Sequence, residues 1–441
     1  MIEKYPVKKI TEPVDWKVTV PGSKSMTNRA LLMAVLSAGT VRVEGVLFSD
    51  DSRHFLACLV ALGFTVEIEE EKKCVTVTGC GGRIPRGEAV IDVGSAGTAA
   101  RFLAAMLGFS DGCYEIRCSA QMKRRPMAEL FDLLSGAGAK ITFLEEEGHL
   151  PVRITGCRYA RADKTAGETP RELSLDITKS TQFLSALLLI APMVPEGMKI
   201  HITSEKTDGS YIRITRRMMQ EFGVSVAFDG RDYEVPCRSS YRKETYMVEP
   251  DMSAACYFYA AAAVTGGRAL VRHVHMDNTQ GDLRFLEVLE HMGCTADDTP
   301  EGILVTGPAD GALRGITVNM NDFSDQALTL AAIAPFADAP VRIEGIGHIR
   351  GQECDRIHAI QTNLTALGIR CEEEETAATI YPGSPHGGSV ETYDDHRVAM
   401  AFSLVGLRTD GIVIENPACC RKTFENYFTV LSELTGKKTE A

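Results

Sequence analysis

The sequence predicts an α/β (more broadly α+β) protein of two domains, each made of three copies of a unit that contains a buried helix, an outer helix and several strands. The chain of 441 residues exceeds what one ordinary core supports and suits two domains. An amphipathic helix that stops at a glycine recurs six times along it, and an apolar helix accompanies each copy. This regular alternation favours a repeat architecture over a chance series of α/β elements.

The outer helices have apolar residues at positions i, i+3, i+4 and i+7, and each ends at a glycine that suits a left-handed C-terminal cap. They are predicted at 51–63, 125–138, 211–223, 282–293, 355–368 and 423–436. The other helices lack a polar face and should therefore be buried. They are predicted at 28–37, 99–107, 181–190, 254–264, 326–333 and 397–407. Short β-type runs are predicted at 18–20, 41–43, 74–77, 199–202, 303–305 and 412–414.

The domain boundaries are inferred from the repeats. If each domain holds three units, the extreme N-terminus must belong with the second half of the chain. We therefore expect a discontinuous domain of residues 1–21 and 248–441 and a second domain of residues 22–247. A hinge of two crossings is expected near 20–22 and 246–251.

Composition narrows the classes of partner and compartment. The formal charge of −12 argues against nucleic acid, because phosphate backbones select basic surfaces. Thirteen scattered cysteines, without a C-x-x-C or a histidine cluster, indicate reduced thiols and predict no metal site. The N-terminus lacks a signal-peptide pattern, and the longest apolar run, 183–194, contains Pro192 and is too short to span a bilayer. We expect a cytoplasmic protein that is not bound to a membrane.

The segment PGSKSMTNR, residues 21–29, opens the first buried helix. Helix N-termini present free N–H groups and a positive dipole end, and Lys24 and Arg29 add full charges. Two interpretations remain at this point: Ser25 only caps the helix and the cations are solvated, or the opening binds an anion. The segment is not a P-loop, since G-x-x-x-x-G-K-[ST] is absent.

Polar or basic residues recur at the openings of the other buried helices. GSAGTAAR begins at Gly94 and offers Ser95 and Gly97, and KRRP at 123–126 offers Arg125. Further such segments lie at 179–182, 320–325, 350–356, 393–397 and 421–424. If these openings face one cleft, it gathers the cations Lys24, Arg29, Arg125, Arg356, Arg397 and Lys422. An acidic protein that concentrates cations in this way suits a polyanionic small ligand, with Asp325 and Glu353 available for proton transfer.

Taken together, these motifs resemble the 5-enolpyruvylshikimate-3-phosphate synthase family. PGSKSMTNRALL, GSAGTAAR, KRRPM, STQFLSALL, the E-x-DR of QECDR, TYDDHRVAMAFSL and CRKTF lie in the family's order between residues 21 and 424. The resemblance implies two domains of three βαβαββ units with buried helices, an inside-out, barrel-like architecture that closes over its substrates. It also implies transfer of the enolpyruvyl group of phosphoenolpyruvate to the 5-hydroxyl of shikimate 3-phosphate, a step of chorismate and aromatic amino-acid biosynthesis.

The family's functional residues can be carried over one by one. The catalytic groups would be Lys24, Asp325 and Glu353. Shikimate 3-phosphate would be bound by Lys24, Ser25, Arg29, Ser180, Thr181, Gln182, Ser204, Tyr211, Asp325 and Gln352. Phosphoenolpyruvate would be bound by Lys24, Ser95, Gly97, Arg125, Gln182, Arg356, Arg397 and Lys422. The resemblance implies no metal or other cofactor, small anionic substrates as the only partners, and a monomer.

Three positions depart from the family pattern. Ser95 and His348 stand where asparagine is usual, and Gln352 replaces a substrate-contacting lysine. We expect Arg350, two residues earlier, to supply the missing charge, although binding through the neutral amide of Gln352 is an alternative. The alternative enzyme is UDP-N-acetylglucosamine 1-carboxyvinyltransferase or a paralogue with a related acceptor. Many members of that family carry a loop cysteine five residues before the arginine of the Arg–Pro pair, and Ala120 occupies that position here.

Overall fold

The computed structural model describes residues 3–157, 169–308 and 312–436, and the chain divides into two compact units. One unit, Gly22–Glu249, is a single stretch of chain and is called the continuous unit below. The other combines Met1–Pro21 with Pro250–Ala441 and is called the split unit.

Helices and strands alternate through both units. The N-terminal segment of the split unit contains β1 (Lys4–Pro6) and β2 (Asp15–Val18). The continuous unit contains α1 (Lys24–Leu36), β3 (Thr40–Glu44), α2 (Asp50–Ala61), β4 (Thr65–Glu69), β5 (Cys74–Thr78), β6 (Glu88–Asp92), α3 (Gly97–Gly108), β7 (Cys113–Arg117), α4 (Ala120–Lys123), α5 (Ala128–Gly136), β8 (Lys140–Phe143), β9 (Val152–Thr155), β10 (Arg171–Leu175), α6 (Gln182–Ile190), β11 (Met198–Ile202), α7 (Ser210–Glu221), β12 (Ala227–Phe228), β13 (Asp232–Val235) and β14 (Thr245–Met247). The rest of the split unit contains α8 (Met252–Thr265), β15 (Arg268–Arg272), α9 (Phe285–His291), β16 (Thr295–Thr299), β17 (Gly302–Thr306), β18 (Thr317–Asn319), α10 (Ala327–Ile333), β19 (Val341–Glu344), α11 (Arg356–Ala366), β20 (Cys371–Glu373), β21 (Ala378–Ile380), β22 (Gly388–Val390), α12 (His396–Arg408), β23 (Ile412–Glu415) and α13 (Tyr427–Gly436).

The strands of the described residues form six small sheets with one pairing pattern. Each sheet contains one parallel pair, and an antiparallel strand adds to the member of that pair that comes after a buried helix, as β7 pairs with β6 and β9. The continuous unit holds the sheets β14-β3-β5-β4, β6-β7-β9-β8 and β10-β11-β13-β12. The split unit holds β2-β15-β17-β16, β18-β19-β21-β20 and the three-stranded β1-β23-β22. The predicted fold class is therefore confirmed.

Two strands, β2 and β14, do not pair with the unit that the chain enters next. β2 precedes α1 but runs parallel to β15 in the split unit, with Asp15 opposite Arg268. β14 precedes α8 but runs parallel to β3 in the continuous unit, with Thr245 opposite Arg42. The N-terminal segment thus completes two sheets of the split unit, because β1 pairs with β23.

The apolar helices form the interior of each unit, as predicted. Every residue of α3 is buried, and so is every residue of α8 from Met252 to Val264. Helices α1, α3 and α6 belong to one apolar cluster, and α8, α10 and α12 belong to the other. Because these helices are buried along most of their length, the position of each helix opening is fixed by the packing of the helix behind it. No helix among the described residues has the length and apolar character needed to cross a membrane.

One predicted strand and one predicted helix cap differ from the structure. The run predicted at 18–20 is wrong by several residues, because the strand is β2 and Pro21 lies just beyond its exit. Five outer-helix glycines, Gly63, Gly138, Gly223, Gly293 and Gly368, have φ between 83° and 105° and form the left-handed caps expected of them. Gly436 does not, since it is the last residue of α13.

Candidate active site

The three buried helices of the continuous unit begin side by side. Asn28 of α1 donates from Nδ2 to Thr98 Oγ1 of α3 at 2.5 Å, and Arg29 Nη2 donates to Ser185 Oγ of α6 at 3.4 Å. The guanidinium of Arg101, in α3, lies 5.5 Å from the ring centroid of Phe183 in α6. These contacts place three helix N-termini, with their free N–H groups, in one region.

Lys24 is the first residue of α1, and its ammonium is largely enclosed. The Nζ atom lies 3.3 Å from Asp51 Oδ2, and the two side chains are 18% and 2% exposed. Asp51 Oδ1 is buried and has no hydrogen-bond partner among the described residues. The N-cap of α1 is Ser23, so the interpretation in which Ser25 caps the helix is wrong. An anionic ligand at Lys24 would compete with an under-satisfied buried carboxylate.

Arg29 lies inside the continuous unit at 1% exposure. It donates to Ser25 O at 2.9 Å, Thr215 Oγ1 at 2.8 Å and Tyr211 O at 3.3 Å. Its guanidinium is also within 5.3 Å of the centroid of Phe102. Burial lowers the pKa of Arg29 to about 10, with the nearby tyrosines opposing that shift. The structure shows Arg29 organising the backbone at Ser25 and Tyr211, and its direct contact with a substrate stays a prediction.

Gly97, the first residue of α3, lies against two guanidinium groups. A Cβ atom at Gly97 would be 2.5 Å from Arg125 Nη1 and 2.8 Å from Arg101 Nη1. Arg101 in turn donates to Gly97 O at 3.1 Å and to Pro126 O at 3.3 Å. Ser95 is half-buried two residues before Gly97. A side chain at this position would displace these guanidinium groups, Arg101 joins Arg125 as a second cation at this opening, and the contact of Gly97 with phosphoenolpyruvate stays a prediction.

The α6 opening carries the Ser180–Gln182 segment. Ser180 Oγ accepts from the backbone N–H of Gln182 at 3.2 Å. The side-chain oxygen of Gln182, Oε1, is buried without a hydrogen-bond partner in the described part of the chain. Ser204 is 6% exposed, accepts from Ile177 N at 3.2 Å and donates to Lys206 O at 2.9 Å. Ser204 therefore fixes its own loop, and its predicted contact with substrate stays a prediction.

In the split unit, Arg397 joins the openings of three buried helices. It is the second residue of α12, and its Nη2 lies 2.8 Å from Asp325 Oδ2, just before α10. The same nitrogen donates to Ser253 Oγ of α8 at 3.4 Å. The split unit therefore repeats the convergence of helix openings seen in the continuous unit.

Arg356, the first residue of α11, is 1% exposed and surrounded by carboxylates. Nε donates to Asp395 Oδ2 at 2.8 Å, Nη1 to Asp325 Oδ1 at 2.9 Å, and Nη2 to Glu353 Oε2 at 3.0 Å. Nη1 also donates to the amide oxygen of Gln352. Burial acts to lower the pKa of Arg356, but Asp395, Glu353 and Asp325 outweigh burial and raise it. This arginine stays charged at every physiological pH.

Glu353 connects Arg356 to a third cation. Its Oε1 lies 3.2 Å from Lys422 Nζ, and the side chains of Glu353 and Lys422 are 9% and 7% exposed. Lys422 ends the short helical turn Pro417–Lys422. All six predicted residues of the split unit thus belong to one cluster of direct contacts, namely Asp325, Gln352, Glu353, Arg356, Arg397 and Lys422.

The loop before α11 contains two further residues considered in the sequence analysis, His348 and Arg350. His348 Nε2 and Ser324 Oγ form a hydrogen bond of 2.8 Å, one residue from Asp325. Arg350 instead forms ion pairs with Asp355 at 2.8 Å and Glu373 at 2.7 Å, and donates to Glu375 O at 3.0 Å. Its guanidinium is committed to the β20 edge, so the expectation that it replaces a charge at Gln352 is wrong.

Sequence reasoning missed three buried acids. Asp51 pairs with Lys24, Asp395 pairs with Arg356, and Asp282 accepts from the Ser253 hydroxyl. Asp395 is the N-cap of α12 and accepts from Arg397 N at 2.9 Å, so the capping rule could have identified it. For Asp51 and Asp282 no local signal exists, because their partners are distant in sequence. Among the described residues, no group of three or more His, Cys, Asp or Glu side chains could hold a metal ion.

Each unit gathers a cluster of polar side chains at its helix openings, and the two clusters differ in chemistry. The continuous unit gathers Lys24, Arg101 and Arg125 near helix N-termini, which suits phosphate and carboxylate groups. The split unit holds two carboxylates, Asp325 and Glu353, each between two cations. Such an arrangement can bind an anion and move protons without a further group.

Comparison with known proteins agrees with this chemistry. A family model described as EPSP synthase (3-phosphoshikimate 1-carboxyvinyltransferase) matches residues 8–431. A Trichormus variabilis protein named 3-phosphoshikimate 1-carboxyvinyltransferase is 41% identical over 429 residues, covering 97% of this chain and 98% of that protein. A protein of the same name from Sulfurovum sp. is 39% identical over 426 residues, covering 96% and 97%. The solved EPSP synthase of Acinetobacter baumannii superposes with a TM-score of 0.78 at 25% identity, covering 98% of this chain and 97% of that one.

Proposed function

Since this chain belongs to the EPSP synthase family, the 3-phosphoshikimate 1-carboxyvinyltransferases, we propose that its two clusters carry out that family's reaction. The protein transfers the enolpyruvyl group of phosphoenolpyruvate to the 5-hydroxyl of shikimate 3-phosphate and releases phosphate. The observation that carries the assignment of roles is the placement of Asp325 and Glu353, each between two cations in the buried cluster of the split unit.

Asp325 acts as the base in the addition step. Its two carboxylate oxygens face Arg356 at 2.9 Å and Arg397 at 2.8 Å. When the anionic groups of phosphoenolpyruvate bind these arginines, Asp325 shares its cations and accepts a proton more readily. The proton of the 5-hydroxyl passes to Asp325 while its oxygen bonds to C2 of phosphoenolpyruvate.

Glu353 delivers the other proton. Glu353 enters this step as the carboxylic acid: as C2 is attacked, the C2–C3 double bond opens and C3 takes the proton of Glu353, giving a tetrahedral ketal phosphate. In the second half C3 returns a proton to Glu353, the double bond re-forms, and the C2–O bond to phosphate breaks, with the departing phosphate taking the proton held by Asp325. Lys422, 3.2 Å from Glu353, and Arg356 stabilise the charge on the departing phosphate.

The continuous unit supplies most of the binding groups. Lys24, Gly97 and Arg125 hold phosphoenolpyruvate with Ser95 and Gln182, which agrees with the space that Gly97 leaves for Arg125. Shikimate 3-phosphate is bound by hydroxyl, amide and cationic side chains of the continuous unit, assisted by Gln352 as a neutral partner. These groups are Lys24, Ser25, Arg29, Ser180, Thr181, Gln182, Ser204 and Tyr211.

The protein works as a cytoplasmic monomer with these two small anions as its partners and needs no metal or other cofactor. The chemistry supports the last point, because addition and elimination require only proton transfers and charge stabilisation. The net charge of −12 supports a small-molecule substrate rather than nucleic acid.

A phosphate-release assay tests the assignment. Phosphoenolpyruvate is supplied either with shikimate 3-phosphate or with UDP-N-acetylglucosamine, and inorganic phosphate is measured. Release with the first acceptor alone is the expected result. Release only with the second would establish the alternative acceptor, which the family match does not favour. Absence of release with both would overturn the proposal.

A further inference from the structure

Asp282 is a buried carboxylate that the reaction above does not use. It lies in the short helical turn Gly281–Arg284 before α9 and is 6% exposed. The cation of the same turn, Arg284, faces Asp322 at 3.8 Å and stacks 4.9 Å from the centroid of Phe323. A buried carboxylate requires hydrogen bonds or a cation, so the contacts of Asp282 define what it does.

Ser253 connects Asp282 to the catalytic cluster. A serine hydroxyl has one proton, and here it is donated to Asp282 Oδ2. The lone pairs of Ser253 Oγ are then left to accept from Arg397 Nη2 at 3.4 Å. The same nitrogen lies 2.8 Å from Asp325 Oδ2. The four side chains form a continuous series in the order Asp282, Ser253, Arg397, Asp325.

We propose that Asp282 is a positioning residue for the enolpyruvyl transfer. By orienting the Ser253 hydroxyl it sets the direction of Arg397, and its charge reaches Arg397 through that hydrogen bond and so sets how strongly Arg397 attracts an anionic substrate. The inference rests on the proposed function, in which Arg397 binds phosphoenolpyruvate.

The pKa of Asp282 lies near neutral pH. Burial raises its pKa to about 7, the negative charges of Asp325 and Asp251 add to the rise, and Arg397 and Ser253 oppose it. The thiol of Cys256, which donates to the backbone oxygen of Asp282, has its own pKa raised by burial and stays neutral near pH 7. Ionised Asp282 competes with the substrate for Arg397, whereas protonated Asp282 does not. Affinity for phosphoenolpyruvate should therefore fall as the pH rises through about 7.

The test compares the wild type with Asp282→Asn, which keeps the shape and an acceptor oxygen but removes the charge. The Michaelis constant for phosphoenolpyruvate is measured between about pH 5.5 and about pH 8.5. We expect similar values at the acidic end and, at the basic end, a wild-type constant about tenfold above that of the variant, with kcat changing less. The control is Asp410→Asn, an exposed acid after α12, which should behave as wild type.

A second variant tests the route through Ser253. In a Ser253→Ala background, Asp282→Asn should alter the pH response much less than it does alone. An undiminished effect would show that Asp282 acts through space and would overturn the positioning role. Identical pH responses of wild type and Asp282→Asn would also overturn it, while a wild type without turnover would instead overturn the proposed function.

Stability supplies a readout that does not depend on activity. Because the folded pKa of Asp282 lies above its ordinary value of 3.8, the folded protein holds this proton more tightly than the unfolded chain. Its contribution to stability therefore decreases as the pH rises from 3.8 to about 7. The Tm of Asp282→Asn relative to wild type should rise across that window. A constant difference would contradict the burial of a titrating Asp282. If Asp282→Asn does not fold, Ser253→Ala alone is measured instead. Its Michaelis constant for phosphoenolpyruvate must then change less with pH than that of the wild type, or the inference fails.

Discussion

Lys24 and Asp51 form an ion pair at the opening of α1, where we propose that a substrate binds. The ammonium is 18% exposed and the carboxylate only 2%, so the pair is weakly screened by water. We propose that a substrate phosphate binds Lys24 in competition with the carboxylate of Asp51. Removing the lysine leaves Asp51 buried without a cation.

We expect Lys24→Ala to lower kcat by about a hundredfold to a thousandfold, since a group that meets transition-state charge typically contributes about 3–4 kcal/mol. Phosphate release under saturating substrates measures this. The matched control is Lys199→Ala on β11, a half-buried lysine paired with Asp232, which should leave turnover unchanged. Turnover of a folded Lys24→Ala protein close to wild type would exclude the assigned role.

Gly97 makes a second residue-scale prediction. A methyl group at this position would overlap Arg125 Nη1 at 2.5 Å and displace it from the α3 opening. Gly97→Ala should therefore raise the Michaelis constant for phosphoenolpyruvate by about tenfold or more and that for shikimate 3-phosphate much less. Gly136→Ala, in α5 with no atom within 4 Å of the added carbon, is the control. Equal effects on both substrates would contradict the assignment.

At the scale of elements, the outer helices show how one residue type can mean two things. Gly223 comes after α7 in a left-handed conformation with φ of 90°, and the nearest atoms to an added Cβ, in Arg242, are 4.0 Å away. Gly436 has the same place in the sequence pattern but is the last residue of α13. The pattern identifies the helix end, whereas the backbone conformation of the glycine depends on the path that the chain takes beyond the helix.

These two glycines give a matched pair of substitutions. Gly223→Ala should lower the free energy of unfolding by about 1–2 kcal/mol, because space is available and only the left-handed backbone opposes the side chain. Gly436→Ala should be neutral or slightly stabilising, since alanine favours a helix and no atom lies within 4 Å. Urea unfolding midpoints of both variants decide the question. A smaller loss at Gly223 than at Gly436 would contradict the cap interpretation.

At the scale of the whole molecule, the pairing of β2 with β15 and of β14 with β3 bears on which parts of the chain can fold alone. The continuous unit contains every strand of its three sheets, β14 included. Residues 250–441 lack β1 and β2, which pair with β23 and β15. Trp16 in β2 is the single tryptophan of the chain and packs 6.4 Å from Phe258.

We therefore predict that a fragment of residues 22–249 folds cooperatively and that a fragment of residues 250–441 does not, since two of its sheets lose a strand. Circular dichroism with thermal melting measures both. Adding a peptide of residues 1–21 to the second fragment should restore structure and shift the Trp16 emission to shorter wavelength as the indole becomes buried. Cooperative folding of 250–441 without the peptide would contradict this dependence on β1 and β2.

The sequence by itself determined the helices and strands, the six-fold repeat and most candidate site residues. These features are local, because apolar residues with a period of 3.6 mark the outer helices, the lack of a polar face marks the buried ones, and the site motifs lie at helix openings. The resemblance of ordered motifs added the reaction, and the family match supports it.

Only the tertiary structure decided which side chains meet. Lys24 with Asp51, Ser253 with Asp282, and the turn of Arg350 towards Glu373 link residues that no period or spacing relates. The partners of β2 and β14 are likewise chosen by long-range sheet contacts, since the sequence alone would allow each strand to join a sheet of the unit that comes after it. Packing selects the partners of each buried charge, because an unpaired charge in the interior is costly, and that selection is not written in any one segment of the chain.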